Sequence, residues 1–211
     1  MAAREALAAP GAGEGGFAPG LTLGEARSRM FALSGFAPDG GYGDEWVWLR
    51  LWRIPFAFPN TSGRRRAVRF HDLHHVLTGY RTTWRGEFEI AAWEVAAGGV
   101  KRYWEGWLLD LLGFACGLAV CPRGVYRAFA RGRRSRNLYS EEWDDSILAR
   151  RVGDERRRLG LDGAGARPSR RDRAAFAFWA AASLATYAAA GALLLAPALG
   201  LLALLWLWPA L

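Results

Sequence analysis

Residues 174–211 contain no charged side chain, which makes them the clearest feature of the hydrophobic pattern along the chain. About 20 apolar residues suffice to cross a bilayer, so this segment predicts one long membrane helix or a helical hairpin. Pro197 and Gly200 lie where a hairpin would break. The alternative is a buried core hairpin, but no other segment of the sequence is large and apolar enough to cover it.

Upstream of this segment, apolar positions recur mostly at the three- and four-residue spacing of amphipathic helices. Thr22 and Glu25 form a capping-box pattern at the start of the first helix. Residues 88–97 and 100–122 predict two further helices. Residues 141–159 predict another, because acids fill its first turn and arginines its last. We therefore expect an all-α fold.

The tryptophan-rich stretch at residues 44–55 is ambiguous. Asp44 suits a helix N-cap and Pro55 a helix stop, and Trp48 and Trp52 would share one helical face. A strand is the alternative, but apolar and polar residues do not alternate cleanly there. We therefore predict a helix.

These patterns divide the chain into four parts. We expect a disordered tail at residues 1–21, a helical domain at 22–161, a basic linker at 162–173 and a membrane segment at 174–211. The tail is rich in Ala, Gly and Pro and lacks the apolar run of a signal peptide. Arginines in the linker place the domain on the cytoplasmic side of the cell inner membrane, by the positive-inside rule.

The charge of the chain is consistent with a membrane partner. The net charge is +8, and a basic protein can bind nucleic acid or an anionic membrane surface. Because the apolar segment favours the membrane, we expect no nucleic-acid partner. Cys116 and Cys121 are spaced as C-x4-C, which is not the spacing of a zinc knuckle. We expect two buried thiols in a reducing compartment.

All three histidines of the chain lie within the five residues HDLHH, which begin at His71. On a helix, residues three or four apart share a face. His71 and His75 are four apart, and Asp72 and His75 are three apart, so these three side chains can converge. His74 lies one residue step from His75 and is expected to point off the shared face.

A short turn follows this helix. Gly79 suits the left-handed conformation that ends a helix, and Thr82 or Thr83 can cap the next one. If the two helices fold back antiparallel, Glu87 comes to lie opposite His75. A divalent first-row metal ion could then be bound by two imidazoles and two carboxylates, those of His71, Asp72, His75 and Glu87.

Other interpretations stay open. Two histidines on one helix face are often ordinary core or surface residues without a ligand. The stretch also resembles the H-E-x-x-H helix of zinc hydrolases, with Asp72 in place of the glutamate, although aspartate is one methylene short for the general base. Glu94 lies seven residues after Glu87 on the same face and is a candidate for an acid that supports the ligands.

The spacing His71-Asp72-x-x-His75, eleven residues, then Glu87 is similar to the signature of the ubiquinone (coenzyme Q) biosynthesis family named for the fourth Coq protein. The phrase HDLHHVLTGY resembles that family's motif, with His74 where an aromatic residue is commoner. The stretch EEWDDSILARRVGDERRRLGL resembles the family's C-terminal helix. Together the likeness covers about residues 30–161 and leaves the membrane segment without a counterpart.

The resemblance implies an all-helical fold, a divalent metal ion and work on a polyprenylated aromatic ring or another isoprenoid lipid. It implies oxidative decarboxylation, in which a hydroxyl group replaces the ring carboxylate, with other quinone-biosynthesis proteins as partners. We expect zinc, with iron or manganese as alternatives. The expected catalytic residues are Asp72 and Glu87, and the expected metal ligands are His71, Asp72, His75 and Glu87.

Two alternative functions follow from the same residues. One is a non-catalytic lipid-binding scaffold that organises quinone-biosynthesis enzymes. The other is a membrane-tethered zinc hydrolase, which would need Asp72 unligated so that it can act as a base. The apolar residues 46–58 could line a tunnel for a prenyl tail, although core packing is their more ordinary use.

Overall fold

The computed structural model describes residues 16–51, 54–163 and 168–207, and most of these residues are helical. This confirms the predicted all-α class. The described residues form seven α-helices: α1 (Leu23–Ser34), α2 (Ser62–Thr78), α3 (Trp84–Ala96), α4 (Trp104–Val120), α5 (Pro122–Gly132), α6 (Val152–Leu159) and α7 (Arg170–Leu207). A 3-10 helix (Asp145–Ala149) precedes α6, and two strands, β1 (Trp46–Leu51) and β2 (Ile54–Pro59), precede α2.

The predicted helical hairpin is formed by α2 and α3. Gly79 ends α2 with φ +78°, in the left-handed region, and its amide donates to the His75 carbonyl. Thr83 caps α3, where its hydroxyl accepts a hydrogen bond from the amide of Gly86. These are the bend and the cap that the sequence predicted.

The core consists of two apolar clusters that share α3. The first lies among α1, α2, α3 and the segment after α5, and includes Phe31, Phe70, Leu77, Trp93 and Leu138. The second lies among α3, α4 and α5, and includes Phe88, Phe114, Val125 and Phe129. Because α3 packs on both sides, Glu94 near its C-terminal end has no exposed surface.

The helix predicted for the tryptophan-rich stretch is wrong. β1 and β2 pair as an antiparallel hairpin, with Trp46 opposite Pro59. The stretch is rich in aromatic and β-branched residues, which favour strands, and a two-stranded ribbon has only edge strands, where Pro55 and Pro59 are tolerated. Trp48 is 73% exposed, so it neither packs in the core nor lines an enclosed tunnel. Trp52 lies outside the described residues.

The single helix predicted for residues 141–159 is also wrong, because only α6 and a preceding 3-10 helix are helical there. Between these two helices the backbone is extended and bonds to the N-terminal part of the chain. The amide of Leu23 donates to the Arg150 carbonyl, and the amide of Val152 donates to the Leu21 carbonyl. These long-range backbone bonds outweigh the local helical pattern.

Residues 16–21, assigned from composition to a disordered tail, dock against α6. The Arg156 guanidinium donates to the Phe17 carbonyl, and the amide of Gly153 donates to the Pro19 carbonyl. Residues 1–15 of the predicted tail lie outside the described ranges. The structured domain therefore starts earlier than the sequence indicated.

α7 is one continuous helix that passes through Pro197. The described part of the predicted membrane segment is therefore a single helix and not a hairpin, and it begins within the predicted linker at Arg170. Arg170–Pro197 is long and apolar enough to cross a membrane, and only 6% of its apolar window is buried. Within the described residues this window is therefore exposed and does not form a buried core hairpin.

The first turns of α7 dock against the helical domain. Trp179 stacks on Trp107 with ring centroids 5.4 Å apart, and Phe176 lies 5.7 Å from Phe114. Phe176 precedes Trp179 in α7, whereas its partner Phe114 follows Trp107 in α4. The two helices therefore run antiparallel. The α4 end that carries Trp104, which is 66% exposed, therefore points toward the apolar part of α7.

Replacing Gly79 with alanine should destabilise the domain by about 1 kcal/mol, because a Cβ is disfavoured at positive φ. A Cβ there would meet Gly16 Cα at 3.7 Å, an ordinary contact, so the cost comes from backbone conformation. The matched control is Gly20→Ala, where a Cβ meets nothing within 4 Å and φ is not left-handed. Chemical unfolding of both variants measures the difference, and equal stabilities would contradict the left-handed bend.

Removing the apolar part of α7 should separate membrane anchoring from folding. A chain that ends at Ser183 keeps the docked turns, so we expect it in the soluble fraction, whereas the full chain should resist carbonate washing of membranes. A chain that ends at Leu161 loses the contacts of Phe176 and Trp179, so it should unfold at a lower temperature. Release of the full chain by carbonate would contradict the anchor.

Candidate metal centre

Three of the four predicted ligands converge between α2 and α3. His71, His75 and Glu87 place their ligand atoms within 4.8 Å of one another. His75 Nε2 lies 3.3 Å from Glu87 Oε1 and 3.1 Å from His71 Nε2. His71 Nε2 in turn lies 3.2 Å from Glu87 Oε2. One nitrogen of each ring and both carboxylate oxygens therefore face a common centre.

A backbone carbonyl fixes the proton position on His75. Its Nδ1 lies 2.9 Å from the carbonyl oxygen of Tyr80, which can only accept a hydrogen bond, so Nδ1 carries the proton. In the neutral ring the lone pair is then on Nε2, which faces the centre, as ligation of a metal ion requires. The turn at Gly79 brings the Tyr80 carbonyl back to His75.

The structure does not bring Asp72 into this group of three. Its Oδ2 accepts a hydrogen bond from the hydroxyl of Tyr42, in the loop before β1. Asp72 is one residue step, about 100°, around α2 from His71, so its carboxylate faces that loop. The predicted set of four converging side chains is therefore reduced to His71, His75 and Glu87.

A second carboxylate lies behind His71. Glu94 is fully buried, and its two oxygens lie 3.1 and 3.2 Å from His71 Nδ1. Its Oε1 also lies 2.6 Å from His74 Nδ1. Glu94 therefore lies where the sequence suggested a supporting acid, two turns beyond Glu87 on the same face of α3.

The surroundings of Glu94 include contacts that sequence reasoning missed. His74 points off the face of His71 and His75, as expected, but its Nε2 accepts a hydrogen bond from the Leu138 amide, and nothing local indicates this contact. Asp110 of α4 places a carboxylate oxygen within 4.8 Å of the ligand atoms of His71 and Glu94. The sequence did indicate Asp110 as an unusual residue, since it is the single acidic residue in the apolar run WLLDLLGF.

Burial and neighbouring charges shift the pKa values of the histidine and the acids at this site in different directions. Burial alone would lower the pKa of His71, but the charges of Glu94 and Glu87 outweigh it and raise this pKa well above its usual value. Burial would raise the pKa values of both glutamates, yet the neighbouring histidines hold them well below the usual range. Burial and the charge of Glu94 raise the pKa of Asp110. In the absence of an ion, these pKa shifts favour a protonated His71 between two ionised carboxylates.

The centre is partly open to solvent. The side chains of Glu87 and His71 are 35% and 22% exposed, whereas that of His75 is 2% exposed. An apolar cleft adjoins His75 between α1 and the α2–α3 turn, and its lining includes Phe17, Met30, Leu33, Tyr80 and Thr82. Solvent therefore reaches the centre at Glu87 and His71, and the cleft, which has neither of them in its lining, lies beside His75.

Comparison with family models, curated proteins and solved structures gave no match to this chain. Two imidazoles and one carboxylate are the ligand set of many catalytic zinc sites and of the non-haem iron(II) oxygenases. Both kinds of site keep coordination positions open for substrate. His71, His75 and Glu87 fit such a divalent ion.

We expect the full chain to bind about one divalent ion. His71→Ala and His75→Ala should each reduce the metal occupancy, because an incomplete ligand shell binds weakly. Elemental analysis after gentle purification measures the occupancy. Glu89→Gln is the control, since this α3 carboxylate pairs with Arg85 instead. Wild-type protein without any metal ion would contradict the site.

Binding of the ion should depend on pH with a defined sign. Below the raised pKa of His71 the ion must displace a proton from that ring, so affinity should increase with pH and level off above this pKa. At pH 7 about one proton should be released per ion. Calorimetry in buffers of different ionisation enthalpy measures this number, and a release of zero would contradict a protonated His71 before the ion binds.

Proposed function

We propose that this chain is a metal-dependent enzyme of ubiquinone biosynthesis that replaces the ring carboxylate of a polyprenylated aromatic precursor with a hydroxyl group at the membrane. The observation that carries the proposal is the convergence of His71, His75 and Glu87 between two helices. The likeness of the motif from His71 to Glu87 to the ubiquinone-biosynthesis family supports the substrate class. The long apolar helix α7 supports the membrane location.

The proposed reaction needs oxygen and a reductant. An aromatic acid, O2, two electrons and two protons give a phenol, CO2 and water, so the atoms and charges balance. A bound iron or manganese ion can supply redox chemistry, whereas zinc acts only as a Lewis acid. The oxidative step therefore favours iron or manganese over zinc. His71, His75 and Glu87 would hold the ion.

Asp72, the other residue expected from the sequence to be catalytic, faces the loop of Tyr42 and not the three ligands, so we assign it no contact with the reacting ring. Burial raises the pKa of its carboxyl group, despite the opposing charge of His71, and the Tyr42 hydroxyl holds the group in place. Glu87 would serve as the ligand at the exposed edge of the site, next to the substrate.

A prenylated substrate suits both the cleft and the anchor. Each buried methylene contributes about 0.8 kcal/mol, so a long tail keeps the precursor in lipid. The apolar side chains of Phe17, Met30 and Leu33 offer a surface for its first units beside His75. The arginines at the start of α7 favour a domain on the cytoplasmic side of the inner membrane. Other quinone-biosynthesis proteins would be partners, and nucleic acid would not.

A non-catalytic scaffold for quinone-biosynthesis proteins is the second candidate. The observation that favours it is the exposed β-hairpin, on which Trp46 and Trp48 are 50% and 73% exposed. Exposed aromatic side chains suit contact with a protein or a lipid. A zinc hydrolase is less well supported, because its required base, Asp72, is bonded to Tyr42.

A strain that lacks the protein should accumulate a prenylated ring precursor that still carries its carboxylate. Wild-type protein should remove this precursor and Glu87→Gln should not, because glutamine keeps the side-chain shape but loses the charged ligand. Glu89→Gln is the matched control on the same helix and should complement fully. Mass spectrometry of lipid extracts measures the precursor and the quinone in each strain.

The outcomes separate the two candidates. Full complementation by Glu87→Gln would exclude the enzyme and leave the scaffold, which needs the chain but not the chemistry. Normal quinone levels in the strain without the protein would refute both.

A further inference from the structure

His74 is the one histidine that the proposed metal centre does not use, and it is fully buried. Its Nε2 lies 2.9 Å from the backbone amide of Leu138, which can only donate a hydrogen bond. Nε2 therefore carries no proton, and the proton of this ring is on Nδ1. His74 thus donates from Nδ1 to Glu94 Oε1 across 2.6 Å.

Glu94 also faces the ring of His71, which belongs to the metal centre. The Glu94 oxygens lie 3.1 and 3.2 Å from His71 Nδ1, while His71 Nε2 faces Glu87 and His75. When Nε2 binds a cation, the ring keeps its one proton on Nδ1, and Glu94 is placed to accept it. Glu94 therefore connects His74, which is not a proposed ligand, with His71, which would bind the ion.

We propose that His74 and Glu94 are positioning residues of the metal centre: His74 holds the Glu94 carboxylate, and Glu94 orients His71 so that its Nε2 faces the ion. The inference rests on the proposed metal centre and assigns roles to two residues outside it. Both residues lack exposed surface, so solvent cannot take over either contact. Partners of this kind change metal affinity roughly 10- to 100-fold when they are replaced.

Asp110 raises the alternative that the same cluster is a second cation site. Its Oδ2 is buried and has no hydrogen-bond partner among the described residues, and its carboxylate lies within 4.8 Å of the ligand atoms of Glu94 and His71. However, Glu94 Oε1 already accepts the proton of His74. His71 would also have to lose both ring protons to bind two ions. The hydrogen-bonded arrangement fits these contacts better.

Two variants of His74 separate its two hydrogen bonds. The amide nitrogen of asparagine overlaps Nδ1, so His74→Asn keeps the donor to Glu94 and loses the acceptor for Leu138. Glutamine reaches the position of Nε2, so His74→Gln keeps the acceptor and loses the donor. We expect His74→Gln to weaken cobalt(II) binding about 10- to 100-fold and to alter the visible spectrum of the bound ion. His74→Asn should bind cobalt(II) like the wild type and unfold at a lower temperature.

Competition with a chromogenic chelator measures the affinity of the full chain in detergent, and thermal unfolding is measured on the same samples. If His74 were purely structural, affinity would follow stability, and His74→Asn would bind worst. That result, or equal affinity in both variants, would overturn the inference and leave the metal centre intact. Failure of the wild type to bind cobalt(II) would refute the metal centre itself, and the inference with it. Two bound ions, one of them lost in Asp110→Asn, would overturn it in favour of a second cation site.

The small number of histidines allows a check that needs no metal. Because the chain has three histidines, selective labelling with nitrogen-15 histidine gives three ring systems in a nuclear magnetic resonance spectrum. The ring of His74 should carry its proton on Nδ1 at neutral pH. A proton on Nε2 would overturn the inference.

Discussion

The buried charge of Glu94 is the constraint on which the arrangement of the helices around the site depends. Without partners, an ionised carboxylate in such surroundings would cost on the order of several kcal/mol. α2 supplies two ring nitrogens to it, from His71 and His74, and α4 supplies Asp110, whose raised pKa favours the neutral form. The segment after α5 fixes His74 through the Leu138 amide. These contacts set the register of α2 against α3, and a slip of either helix would break them.

α3 carries two carboxylates on one face, and they differ in exposure. Glu87 is partly exposed and Glu94 is fully buried, yet both contact the ring of His71, one at each nitrogen. The imidazole therefore connects the open edge of the site with the interior of the domain. Geometry at the open edge consequently depends on packing two helical turns deeper, where solvent has no access.

The predictable part of the structure was the part made by residues close in sequence. Helical spacing, a glycine turn and a threonine cap were enough to predict the meeting of His71, His75 and Glu87. The position of Asp72 was predicted wrongly because its partner Tyr42 lies 30 positions earlier. The contact of His74 with Leu138, which the sequence did not indicate, spans 64 positions.

The secondary structure was also predicted wrongly where contacts between distant residues decide it. The predicted helix before α6 is interrupted by backbone bonds from the N-terminal segment, and the tryptophan-rich stretch pairs with its own second half instead of following a helical period.

α7 leaves the domain without a break after its docked turns. At 1.5 Å per residue, residues 184–207 extend about 36 Å, slightly more than the roughly 30 Å of a bilayer's hydrocarbon layer. With α7 inserted, no joint between helix and domain would allow the domain to tumble, so the same face would always be turned toward the lipid. Encounters with a lipid-borne molecule would then occur by lateral diffusion in two dimensions. Their rate would be set by the number of such molecules per unit of membrane area, and not by any concentration in water.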